Sequence, residues 1–68
     1  MSAEGKFLVY CLETYKAAKN MTGMQVIEMF KLYGVIDYIL SCYEALHTTS
    51  INYIIEDIDI FVEARQQP

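Results

Sequence analysis

Cys42 and His47, a thiol and the only imidazole of the chain, are the residue types from which nucleophilic catalysis is built. Such a reaction needs the imidazole within reach of the thiol and a third group to orient it. Five residues apart on a helix, the two side chains point well away from each other. The blander reading of His47 is a residue at a helix C-terminus, where it bonds exposed carbonyls and is favoured by the helix dipole. Cys11 and Cys42 both fall on predicted core faces, where a free cysteine acts as a small hydrophobe. Two cysteines and one histidine without a C-x-x-C pair do not describe a zinc site. No catalytic, cofactor-binding or metal-ligating residue is therefore expected, and the chain is not read as an enzyme. A small enzyme or ligand-binding protein using Cys42, His47 and tyrosines is the alternative, and it requires a pocket where these groups converge.

The densest acidic group is Glu56, Asp57, Asp59 and Glu63. Calcium loops alternate oxygen ligands around a glycine turn, and none is written here. Helical spacing makes the group a solvated face, with Asn52, Glu56, Asp59 and Glu63 on one side of a helix. As a docking surface it suits a basic partner. The six tyrosines, with no tryptophan beside them, suit half-buried positions and interfaces. Tyr15, Tyr33 and Tyr43 read as residues that edge a core. Tyr53 differs: with Ile60 seven residues later it makes an apolar strip on the side away from the main stripe. Val9 is a similar misfit. Tyr53, Glu56, Asp57 and Ile60, with Val9, are the expected partner interface.

Positioning these residues falls to four short helices in a compact all-α bundle, at residues 4–19, 23–33, 35–46 and 50–64. In the first, Phe7, Leu8, Cys11, Leu12, Tyr15 and Ala18 make one face at 3.6 residues per turn. The second opens on a capping box, Thr22 with Gln25, flanked by Met21 and Val26 as a hydrophobic staple. It buries Val26, Met29, Phe30 and Tyr33 and stops at Gly34, the residue suited to positive φ. The third carries Ile36, Ile39, Tyr43 and Leu46, widened by Val35, Tyr38 and Cys42. After the polar break at His47, Thr48, Thr49 and Ser50, either Thr49 or Ser50 can cap the last helix. There Ile51, Ile54, Ile55, Ile58, Phe61 and Val62 share a face. The alternation Asp57-Ile58-Asp59-Ile60 is the competing strand signal. It lasts four residues, whereas the helical face persists for twelve. Residues 1–5 and 65–68 are expected to fray from a single helical domain spanning 1–68.

Composition bounds what such a domain does. A chain of 68 residues buries only about 60% of its unfolded surface. A core of that size supplies about 3–5 kcal/mol unless disulfides, a metal or association helps. Hydrophobic residues make up 54% of the chain, above the roughly 45–50% typical even with glycine counted. Some of that surface must face outward, so a homo-oligomer, a protein partner or both are expected. Residues 1–34 hold four lysines against three glutamates, net +1; residues 35–68 hold Arg65 against six acids, net −5. The acidic half disfavours nucleic acid and anionic membrane and favours a partner with a basic surface. The helix–glycine–helix around Gly34 resembles a DNA-binding turn, yet 35–46 carries no Lys or Arg for phosphate or base contacts. A regulator acting on DNA through a partner is the second alternative. Phe7 to Leu12 is too short an apolar run for a secretory signal, and Glu13 interrupts it. No run approaches a membrane span. The expected compartment is reducing cytoplasm.

Residues 6–39, with Asn20-Met21-Thr22-Gly23 and Tyr33-Gly34-Val35, resemble a family of small bacterial proteins of similar length, catalogued as a domain of unknown function. Leu46-His47-Thr48, Tyr53-Ile54 and Glu56-Asp57-Ile58 carry the likeness to Phe61. The resemblance implies bacterial origin and a helical fold, but no activity. It also implies a gene neighbour resembling an ADP-ribosyltransferase toxin, and hence an antitoxin-like or accessory role.

Overall fold

The computed structural model describes residues 1–66, and all of its regular structure is helical: α1 (Ala3–Lys19), α2 (Gly23–Tyr33), α3 (Val35–Ser41), α4 (Tyr43–Leu46) and α5 (Ile51–Gln66). Among the described residues no strand forms, so the short alternation at 57–60 yields to the longer helical stripe.

Each helix starts and stops for a local reason. The Ser2 hydroxyl accepts the Gly5 amide at 3.0 Å and caps α1. The first turn is thus in place where fraying over 1–5 was expected. Asn20 ends α1 with φ 54°, and the amides of Asn20 and Met21 close onto Ala17 and Lys16. Asparagine tolerates this left-handed conformation better than most side chains. The capping box of α2 forms as read: the Gln25 amide donates to Thr22 Oγ1 at 3.1 Å, and the Thr22 amide donates to Gln25 Oε1 at 2.9 Å. Gly34 ends α2 with φ 73°.

The expected helix over 35–46 is broken at Cys42, whose φ of −103° and ψ of 15° leave the helical range. Beside the break, the Tyr38 carbonyl accepts both the Cys42 amide and Ser41 Oγ, each at 3.0 Å. The break moves Cys42 off the core face where it was expected, to a half-buried position. It also gives four helices of seven residues or more plus the single turn of α4. Beyond α4, Ser50 Oγ caps α5 by accepting the Tyr53 amide at 3.2 Å. The last helix outruns its expected end at 64. Arg65 stays helical with its guanidinium 4.3 Å from the centre of the Phe61 ring, one turn back. Of the tail expected to be loose, Arg65 and Gln66 are helical, and residues 67 and 68 lie outside the described residues.

α1 packs on α2, α3 and α5, and α5 lies against α1 and α3. Their shared core holds Cys11, Tyr15, Val26, Phe30, Val35, Ile39, Ile54, Ile58 and Val62. Ile54, Ile58 and Val62 recur every fourth residue, so α5 commits one narrow side to the core. Each such side chain contributes about 1.5–3 kcal/mol on burial. Ala18, expected on the α1 stripe, is exposed at the helix's last turn.

A Cβ built on Gly34 meets no atom within 4 Å, so crowding adds nothing to the conformational cost there. Gly34→Ala is expected to lower stability by about 1–2 kcal/mol, and Gly34→Asn by less. Urea denaturation of the two variants beside the parent chain measures both.

Candidate functional site

The acidic residues of α5 divide into two sets. Asp59 Oδ1 accepts the Tyr15 hydroxyl at 2.7 Å, and Asp59 Oδ2 pairs with Lys19 Nζ at 2.6 Å. Asp57 Oδ2 accepts the Tyr38 hydroxyl at 2.6 Å. The expected solvated placement of Asp59 is therefore corrected: a phenol from α1 and a lysine at the end of that helix engage both its oxygens. Asp57 is half-buried and engaged by α3, so it borders the expected interface rather than projecting from it. Glu56 and Glu63 are the carboxylates left fully exposed.

These bonds lock how α5 is turned. With Asp57 held toward α3 and Asp59 toward α1, the side opposite Ile54, Ile58 and Val62 is presented outward. Tyr53 and Ile60 occupy that side, 54% and 58% exposed, with Glu56 and Glu63 along one edge. Val9, on α1, is 45% exposed. The interface residues read from sequence are thus at the surface, with Asp57 as the half-buried member. Sequence reading missed a second apolar surface on α2, where Met24, Ile27 and Leu32 are exposed. The signal was present for Met24, which lies across the helix from Val26.

The residues considered for catalysis are not joined. His47 Nδ1 is 2.8 Å from the Tyr43 carbonyl, and its ring stacks on Tyr43 with centroids 4.4 Å apart. This is the helix-end arrangement expected for it. Tyr43 in turn meets Phe7 edge-on at 5.5 Å. Cys11 is buried, and the Cys42 sulfur lies 3.9 Å from Ser41 Oγ. Among the described residues, no hydrogen bond links His47 to either cysteine, and no cluster of three or more His, Cys, Asp or Glu is placed to hold a metal ion. An open groove between α3 and α5 is lined by Gly34, Asp37, Tyr38, Ser41, Phe61 and Arg65. Its floor is the stack of Tyr38 on Phe61, with ring centres 4.1 Å apart. No described helix is long and apolar enough to cross a membrane.

A family model for a protein of unknown function, DUF3791, matches residues 6–65 of the 68. The chain belongs to the DUF3791 family. No curated protein and no solved structure matches it. The family match spans all five helices of this DUF3791 member, including both tyrosine–aspartate pairs and the outer side of α5.

The two phenols hold their protons well above the ordinary value of 10.0. For Tyr15 burial acts first and the bond to Asp59 second; for Tyr38 the bond to Asp57 leads and burial follows. Burial also pushes the Cys11 thiol up from 9.0 to about 11. Each group binds its proton more tightly folded than unfolded, so the stability it contributes is complete below its ordinary value and is lost as pH rises through its folded value. Urea midpoints are expected to fall above pH 9 as Cys11 enters, and further above pH 10 as the phenols do. Tyr15→Phe combined with Tyr38→Phe removes the second part of that fall and leaves the first.

Proposed function

We propose that this DUF3791 member is a non-enzymatic protein–protein interaction module of the bacterial cytoplasm, and that it docks through the outer face of α5. The observation that carries the reading is the exposure of Tyr53 and Ile60 opposite the buried Ile54, Ile58 and Val62. A surface helix stabilises the fold by burying one stripe. A second apolar strip across from it adds nothing to the chain's own core and lowers solubility unless a partner covers it. Tyrosine there supplies a large contact area with two side-chain torsions to fix. The rim of Glu56 and Glu63 favours a partner with a basic surface. Exposed Met24 and Ile27, one turn apart on α2, support self-association through a separate face, so that a homo-oligomer and a complex can coexist.

The partner we favour is an ADP-ribosyltransferase-like protein, the gene neighbour that the family resemblance implies, with this chain as its antitoxin-like or accessory subunit. Co-expression with the neighbouring gene product, followed by light scattering on the purified species, tests the reading. The two chains are expected to travel as one complex. Ile60→Glu is expected to weaken that complex at least about tenfold while leaving the far-ultraviolet circular dichroism and urea midpoint of the isolated chain unchanged. A strictly monomeric mass with no co-purifying product, or a complex indifferent to Ile60→Glu, overturns it.

A further inference from the structure

Resting on that reading of α5, we infer that the occupant of this face is a cationic amphipathic helix from another protein, and not a second copy of this chain. At 100° per residue, Tyr53 and Ile60 lie almost in line along the outer side of α5, about 10 Å apart. Glu56 and Glu63 share their seven-residue spacing and fall together on one flank. The other flank carries Asp57, already engaged by Tyr38, and Ala64. The surface is thus an apolar ridge with two exposed glutamates on one side and the half-buried Asp57 on the other.

Symmetry decides against self-pairing through it. In an antiparallel two-fold pair of α5 helices, equivalent flanks meet, so Glu56 and Glu63 face their own copies. In a parallel pair, that flank meets the one carrying Asp57. Both arrangements set acid against acid, which is destabilising at such spacings. The single basic residue of α5, Arg65, lies over Phe61 in the groove toward α3 and cannot relieve either arrangement. A foreign helix with apolar residues every seventh position, and lysine or arginine on the flank that meets Glu56 and Glu63, satisfies ridge and row together.

The full chain, isotopically labelled for nuclear magnetic resonance, is titrated with two synthetic helical peptides. Both carry a leucine seam of seven-residue spacing; one has lysine along one flank and the other has glutamate at the same positions. The lysine peptide is expected to bind about tenfold more tightly than the glutamate peptide, less so as salt rises. Its shifts should centre on Tyr53, Glu56, Ile60 and Glu63. The pair Glu56→Lys with Glu63→Lys inverts the order of the two peptides, and Glu56→Gln with Glu63→Gln levels it. Equal affinities in the parent chain, or shifts centred on Met24 and Ile27 instead, overturn the inference. If the natural complex is lost in Ile60→Glu yet survives the double charge reversal, the docking face stands and the cationic occupant does not.

Discussion

The hydrogen bonds from Tyr15 to Asp59 and from Tyr38 to Asp57 lock the setting that the buried stripe of α5 selects, in which the carboxylates at 57 and 59 face neighbouring helices and the strip at Tyr53 and Ile60 faces outward. Four of the five isoleucines of α5 share its core side and one, Ile60, lies across from them. Ile54 and Ile58 favour the observed side, but Ile60 would fill a core about as well as either. Burial separates these settings first, because a turned helix would expose Ile54, Ile58 and Val62 at about 1.5–3 kcal/mol each, and the fate of the acids adds to it. Turning α5 to bury Ile60 would carry Glu56 and Glu63 toward the core without partners, at a cost of several kcal/mol. The observed setting gives Asp57 and Asp59 phenol donors and leaves the glutamates in water. Lys19 completes the Asp59 site, although an ion pair this exposed contributes only about 0–1 kcal/mol.

Size makes this setting matter. A 68-residue chain has little apolar burial to spare, and its core draws its buried side chains from α1, α2, α3 and α5. Met24, Ile27, Leu32, Tyr53 and Ile60 are nevertheless left at the surface. Their exposure follows from geometry. Helices of this length in a bundle of this size have only one side covered by neighbours, and apolar residues on the other side meet solvent or a partner.

The helical architecture was legible because its signals are local. Thr22 with Gln25, Gly34 and Ser50 act within three or four residues of themselves, and the structure uses each as a cap or a stop. The core stripe of α5 was legible for the same reason. Asp59 was misplaced because its donors, Tyr15 and Lys19, lie 44 and 40 residues away, beyond any periodicity. Cys42 was misplaced because the apolar stripe over 35–46 continues through it, and no glycine or proline marks the break in the sequence. Arg65 reads as tail polarity until Phe61 is seen beneath it. The exposed face of α5 could be found because its residues are apolar where the stripe rule asks for polar ones.

The proposed function rests on a surface rather than a pocket, and solvent accessibility addresses it most directly. Carbene footprinting of the chain, alone and mixed with the proposed ADP-ribosyltransferase-like partner, reads each α5 side chain in turn. In the free chain Tyr53 and Ile60 should label strongly while Ile54, Ile58 and Val62 stay protected; in the complex the labelling of Tyr53 and Ile60 should collapse and that of exposed Leu32 should persist. Equal labelling of Tyr53 and Ile60 in both states would contradict the account.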